Sequence, residues 1–470
     1  MPDYNQYLSP FSWRYGSDEM RQVWSEIEKR RQWRKIWVAL AQVQAEFGLV
    51  SAEQVADLSE HAGQVDMERA LEIEAEIHHD LMAELRTFAE QSPLGRGIIH
   101  LGATSMDIED NADALRIRAA LDLIILRLER LLGVFADKML TYAETPIIAF
   151  THLQPAEPST LGYRLAFYAQ DLVADLETLR ALRGQLKGKG FKGAVGTAAA
   201  YAELIGDENI DRFEQRLSET LGLPFFSITN QTYPRKQDYL VLNALAAMAA
   251  TLYKFAFDLR LLQSPTMGEW SEPFSEKQVG SSAMPFKRNP INAEKINSLA
   301  RALAQMPAVA WHNAAHTLLE RTLDDSANRR TLLPEAFLSS DEILRTAVRI
   351  LSGLRVNETG IAQNLETYAP FASTERVLMA LVKAGADRQE MHERLRDHAM
   401  TAWQAVRQGQ PNPLADQVAG DAEMNQYLSA AAIRALMQVD GYVGIAPQRT
   451  RDLAGTLREL IANKKEETYP

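Results

Sequence analysis

The chain has 470 residues, too many for one simple core, so more than one domain is expected. Hydrophobic residues make up 46% and charged residues 24%; the net charge of −12 argues against sequence-independent binding to DNA or RNA but allows a small anionic substrate in a locally cationic pocket. The absence of cysteine excludes disulfides, thiolate metal sites and cysteine nucleophiles, and fits a cytoplasmic location.

The first residues, MPDYNQYLSPFSWRYGSDE, carry no apolar stretch of the kind a secretory signal needs. A helical N-terminal region is expected up to the loop SPLGRG, residues 92–97. Long helical patterns follow over about 111–144, 158–187, 235–263, 289–320 and 334–354. In the third, Tyr239, Leu242, Leu245, Met248, Leu252, Phe255, Leu259 and Leu262 recur at steps of three and four, the helical period. Residues 239–257 match a bilayer span in length, but Asn243, Lys254 and the many alanines favour a buried helix in a large soluble bundle. That segment is apolar nearly all round, and its alanines let neighbours approach closely. We therefore expect it at the centre of a many-helix core shared between subunits.

No run of alternating strands and no short repeat is evident. GLRVNETG, residues 353–360, separates the long-helix block from a more polar region, and NKKEETYP, residues 463–470, reads as a frayed tail. The class is mostly α. We expect an N-terminal helical domain over 1–105, a central long-helix domain over 106–356 carrying the loop discussed next, and a C-terminal helical domain over 357–470.

Two motifs are set aside. GKGFKG, residues 188–193, matches G-x-G-x-x-G letter by letter, but a helix precedes it and no βαβ unit surrounds it, so it is not a dinucleotide fingerprint. HHD, residues 78–80, has the wrong spacing for two metal ligands on one helical face, and neither a metal nor a cofactor is expected. GSSAMPFKRNP, residues 280–290, is different. Glycine, paired serines, Pro285 and Pro290 forbid regular structure, and a surface turn would account for them. Free hydroxyls, exposed backbone N–H groups and Lys287 within a few residues would equally suit a site that binds carboxylates and stabilises an enolate-like charge.

That loop resembles the signature of the fumarase/aspartase superfamily of lyases, usually G-S-S-x-M-P-x-K-x-N-P, and its Lys-Arg-Asn version resembles the adenylosuccinate lyase branch. Further blocks agree in the same order: SPFSWRYGSDEM, IIHLGATSMDIEDNAD, FTHLQPAEPSTLGYR, QTYPRK and ERTLDDSANRR. They extend from about residue 8 to residue 340.

The resemblance implies a three-domain helical lyase that releases fumarate by β-elimination from adenylosuccinate, giving AMP, and from succinylaminoimidazole carboxamide ribotide, giving AICAR. Carried over by motif position, Ser281 is the general base and His152 the general acid. His79 contacts substrate and assists proton transfer, Lys287 supports the developing charge and Glu294 orients the acid. A free hydroxyl is a poor base at neutral pH, so loop N–H groups and the Lys287 ammonium must favour its alkoxide. Thr104, Ser105, Gln231, Lys287 and Asn289 would hold the succinyl carboxylates. Arg14, Tyr15, Arg321, Ser326 and Arg330 would hold the ribose phosphate and purine, guanidiniums pairing bidentately with phosphate oxygens. His78, Asp80 and Lys295 complete the expected substrate contacts. His78 and Lys295 stand where relatives usually carry arginine, and Phe286 stands where they carry a hydrogen-bonding ring. A homotetramer is implied, each site built from three chains.

Rival readings are another lyase of the superfamily, such as argininosuccinate lyase or fumarase, whose substrates offer no phosphate to the ERTLDDSANRR arginines, and a catalytically silent helical scaffold, which the intact Ser281, His152 and Lys287 oppose.

Overall fold

The computed structural model describes residues 5–438 and 441–462; the expected tail at 463–470 lies outside the described residues. The N-terminal region is built from α1 (Asp18–Val23), α2 (Glu26–Glu46), α3 (Ala52–His61), α4 (Met67–Ile77) and α5 (Asp80–Gln91). Ser17, Ser25, Ser51 and Asp66 start the first four, each side chain accepting the N–H three residues on.

Long helices then dominate. In chain order they are α6 (Ser105–Thr141), the hairpin β1 (Pro146–Thr151) and β2 (Gln154–Thr160), α7 (Leu161–Gln185), α8 (Ala199–Ile205), α9 (Ile210–Leu221) and α10 (Lys236–Leu262). A two-residue strand β3 (Trp270–Ser271) precedes α11 (Ile291–Leu303), α12 (Met306–Ala315) and α13 (Asp324–Ser352). The chain continues through β4 (Arg355–Val356), α14 (Glu358–Lys383), α15 (Arg388–Arg407), α16 (Leu414–Ala419), α17 (Ala430–Leu436) and α18 (Ala446–Ala462).

Three hydrophobic clusters hold these elements. The largest joins α6, α7, α10, α11, α13 and the returning α18, whose Ala454 and Leu457 pack into it. A second gathers Trp37, Leu58 and Phe88 with the first turns of α6 and with Tyr201, Phe213 and Leu217 of α8 and α9. The third lies between α14 and α17. In α10 the predicted residues Leu242, Leu245, Met248, Leu252, Phe255 and Leu259 are fully buried. This helix is long and apolar enough to cross a membrane, but half of its most apolar window is buried against α7, α11, α12 and α13. Its other face shows Leu240, Phe257 and the Tyr253–Phe257 ring stack, centroids 5.9 Å apart.

Three expectations need correction. The pattern at 289–320 is two helices, because Pro307 lacks an N–H and its ring opposes the carbonyl four residues back, that of Leu303, where α11 stops. The helix expected at 334–354 begins ten residues earlier, at Asp324, and runs through Pro334. A β-hairpin exists where no strand was expected. Pro146 and Pro155 argue against strands, and the helix expected from 158 starts instead at Leu161; yet in a two-stranded ribbon every strand is an edge and a proline forfeits little pairing.

Candidate functional site

A cavity of about 450 Å³ opens where the N-terminal ends of α5, α6 and α13 converge. The positive ends of three helix dipoles meet there, a setting that favours anions. Side chains sharpen this. His79 and Asp80 come from the start of α5, Ser105 from α6 after its cap Thr104, and Ser326 and Arg330 from α13. Gln231, Arg321 and His78 also line it, as do Lys29 and Trp33 of α2. These groups come from distant parts of the chain: Asp80 and Arg330 alone stand 250 residues apart.

The cavity's charges are mostly matched. Arg330 Nη2 donates to Asp80 Oδ2 at 2.8 Å, and the Leu81 N–H donates to Asp80 Oδ1 at 2.8 Å. Burial works against the charge on Asp80, but Arg330, Lys29 and the Leu81 N–H more than offset it and hold its carboxyl below the ordinary range. His79 caps α5, its Nδ1 accepting the Met82 N–H at 3.4 Å, so Nε2 is the nitrogen left to meet a ligand. His78 ends α4 in the left-handed region at φ 55°, which turns the chain sharply into that cap.

Beneath the cavity lies a buried ion network. Arg235 donates to Asp110 at 2.9 Å and to Asp325 at 2.7 Å, and Asp325 also accepts from Arg321 at 2.8 Å. Arg329 donates to Asp238 and to the Tyr233 hydroxyl, both at 2.8 Å. Burial pushes Asp110 up even with Arg235 and Arg329 beside it. The network pins α6, α10 and α13 together, so the residues above it are presented from a rigid floor.

His152 lies elsewhere. It is the first of two residues in the β1–β2 turn, between the paired Thr151 and Gln154, with φ 54°, and Leu153 follows at φ 60°. A two-residue turn with both central φ positive matches the twist of a hairpin, but asparagine and glycine are its usual occupants. A strained turn therefore holds the imidazole out at an exposed tip. It borders a second cavity of about 620 Å³ with Tyr163, Arg164, Tyr168, Lys254 and Asp258.

The 280–290 loop carries no regular structure. It folds back on itself: a Cβ on Gly280 would stand 2.1 Å from the Lys287 carbonyl oxygen, so only glycine fits. Asn289 Nδ2 braces the fold by donating to the Gly280 carbonyl at 3.0 Å. Ser281 Oγ accepts the N–H of Met284 at 3.0 Å and that of Ala283 at 3.3 Å. The loop's exit is anchored by Glu272, which accepts the N–H groups of Asn292 and Ala293 at the start of α11. Burial raises the Glu272 carboxyl, against those same N–H groups. The Lys287 side chain is exposed.

Thus nine predicted residues share the first cavity: His78, His79, Asp80, Thr104, Ser105, Gln231, Arg321, Ser326 and Arg330. Within this one chain Ser281, Lys287, Asn289, Glu294 and His152 do not line it. Glu294 lies 3.8 Å from Arg260, and Lys295 is ion-paired with Glu342, whose other oxygen accepts the Gly16 N–H. Arg14 packs on Trp13 and Tyr15 on Phe11. Sequence reasoning missed Lys29, Glu109, Asp113 and Arg329. The signal for two of them was present: Ser105, Glu109 and Asp113 are spaced by four, one face of a helix.

Comparison with known proteins supplies the frame. Residues 15–304 match the family model described as Lyase, and residues 370–453 match that described as Adenylosuccinate lyase C-terminus. The chain is 39% identical to the adenylosuccinate lyase of Saccharomyces cerevisiae over 96% of its length and 94% of the relative's. It is 40% identical to that of Schistosoma mansoni, covering 90% and 89% of the two chains, and 34% identical to that of Archaeoglobus fulgidus, covering 97% and 99%. Among solved structures, the 3-carboxy-cis,cis-muconate lactonizing enzyme of Pseudomonas putida superposes with a TM-score of 0.85 at 25% identity, covering 96% of this chain and 99% of that one. A fumarate lyase from a Mesorhizobium species gives 0.83 at 25% identity with the same coverage. With near-complete coverage at these identities, the chain belongs to the adenylosuccinate lyase family.

Proposed function

We propose that the chain is an adenylosuccinate lyase, a carbon–nitrogen lyase that eliminates fumarate from adenylosuccinate to give AMP and from succinylaminoimidazole carboxamide ribotide to give AICAR. Ser281 Oγ takes the proton from the carbon beside a succinyl carboxylate, leaving a doubly charged aci-carboxylate. The C–N bond then breaks as the C=C bond of fumarate forms, and His152 delivers a proton to the departing nitrogen. The two N–H groups that reach Ser281 Oγ at 3.0 and 3.3 Å support this assignment, because they stabilise an alkoxide at that oxygen better than a neutral hydroxyl. Lys287 adds a cation once the loop lies over substrate, and His79 presents Nε2 to the same ligand. Arg321, Ser326 and Arg330 take the phosphate end, and Thr104, Ser105 and Gln231 the succinyl end.

The observation that carries the reading is the convergence of three helix N-termini, Arg321 and Arg330, and the hydroxyls of Thr104, Ser105 and Ser326 on one cavity. Because His152 and Ser281 lie outside it, we infer a homotetramer, working in the cytoplasm, in which other chains bring their own hairpin tip and loop to each cavity. The uncovered face of α10, with Leu240, Tyr253 and Phe257, suits that assembly. The test is direct: purified protein with each succinyl nucleotide, followed by ultraviolet absorbance. An unchanged spectrum with both substrates removes the lyase reading.

A further inference from the structure

One carboxyl in the first cavity has no partner. Glu109 lies one helical turn beyond Ser105 on α6, and its side chain makes no hydrogen bond or ion pair among the described residues. Charged groups share the cavity with it from every wall: Glu26 and Lys29 of α2, Glu74 of α4, and His78, His79 and Asp80 before and at the start of α5. Asp113 and Arg116 follow it on α6, with Asp110 beside it, and Arg321, Arg329 and Arg330 face it from the α13 side. Arg330 is committed to Asp80 and Arg329 to Asp238 and Asp113. Two carboxylates in one partly closed space cannot both ionise freely, and the one with cationic partners keeps its charge. Asp80 has Arg330 in direct contact, while Glu109 feels Lys29 and Arg330 only at a distance.

We propose that Glu109 is a substrate-binding residue that enters the complex as a neutral acid, donating its O–H to an oxyanion of the succinyl nucleotide. The inference rests on the lyase reading above. Burial first, then Asp80, Asp113 and Asp110, push this carboxyl up to about 8, so the acid form persists through neutral pH. Above that range an ionised Glu109 both loses its proton to donate and repels the ligand's negative charge. An ordinary glutamate would have made a cavity for a polyanion worse; a protonated one makes it better.

The experiment measures KM for adenylosuccinate, and dissociation constants for AMP and for fumarate by calorimetry, from pH 7 to pH 9.5 in wild type and Glu109→Gln. Wild-type KM should rise by up to about tenfold per pH unit above pH 8. Glu109→Gln, which keeps a donor and cannot ionise, should lack that rise. Glu109→Ala should raise KM roughly tenfold or more already at pH 7, as loss of a hydrogen bond to a charged group does. A rise carried by AMP places the contact at the phosphate, and one carried by fumarate places it at a carboxylate. The same alkaline rise in wild type and Glu109→Gln, or a flat wild-type profile in an enzyme that turns over, overturns the proposal while leaving the lyase reading intact. An inert wild type at pH 7 removes both.

Discussion

The α5–α6–α13 cavity and the pair formed by the β1–β2 turn and the 280–290 loop are built on opposite plans. In the cavity Asp80, Arg321, Arg329 and Arg330 already have partners within the chain, over a buried floor of Arg235, Asp110 and Asp325. At the turn and the loop, His152 and Lys287 are exposed, and among the described residues the Ser281 hydroxyl hydrogen-bonds only to N–H groups of its own loop. A binding surface gains from rigidity, since ordering is then paid for during folding. The proton transfers proposed for these groups would need access, and a glycine-closed loop and a strained turn keep them accessible. On the proposed shared-site reading, the difference is that one chain supplies a preorganised binding half-site and two separate pieces for sites completed elsewhere.

The sharpest way to break that contrast is Ser281→Ala. Turnover should fall about a thousandfold or more, while AMP still binds, because the cavity is untouched. Mixing Ser281→Ala and His152→Ala chains should then restore a fraction of activity, since some sites would draw an intact serine and an intact histidine from different chains. Each variant alone must be inactive for the mixture to be informative, and a mixture as inactive as its parts would end the shared-site reading. Arg235→Ala attacks the other side of the contrast. It strips the buried Asp110 and Asp325 of their common cation and should cost about 3–5 kcal/mol of stability, read by denaturant unfolding. A loss within about 0.5 kcal/mol would show that the floor does not bear on the fold.

The same contrast explains what was legible in the sequence. The period of α10 could be read directly, because packing against four neighbours leaves apolar residues at steps of three and four. The starts of α6 and α13 could not. Their first turns carry Ser105, Glu109 and Asp113, and Ser326, Arg329 and Arg330, which face the cavity. Polar side chains that line a cavity erase the hydrophobic pattern that marks a helix, so each helix was expected to start several residues late. Family blocks named nine residues of the cavity without any geometry, yet gave no hint that Arg329 turns inward to Asp238 while Arg330 turns outward to Asp80. One residue is about 100° of helical rotation, so two adjacent arginines that both line the cavity are held by carboxylates on different elements. The hairpin was hidden because its prolines imitate a loop.

Arg330→Ala should have a smaller effect than either change above. It removes one charge-assisted contact to phosphate and frees Asp80, so KM should rise about tenfold to a hundredfold with kcat changed far less. A fall in kcat with unchanged KM would move Arg330 from the phosphate to the reacting end.

Leu153→Gly has the smallest expected effect, and its sign carries the information. Leu153 sits at φ 60° with its side chain largely exposed, so the wild-type turn holds a non-glycine residue in the left-handed region with little packing in return. Relief of that strain, about 1 kcal/mol, competes with the greater backbone freedom glycine has in the unfolded chain, about 0.5–1 kcal/mol. Stability should therefore change by less than about 1 kcal/mol. Turnover should respond more than stability does. A glycine at the second central position lets the turn relax, and the imidazole next to it is less tightly aimed, so kcat should fall severalfold while KM and AMP binding hold. If kcat is unaffected, the strained turn is not what positions His152. If the melting temperature drops by several degrees instead, Leu153 is buried against another chain, and the apparent exposure of the turn belongs to the isolated subunit.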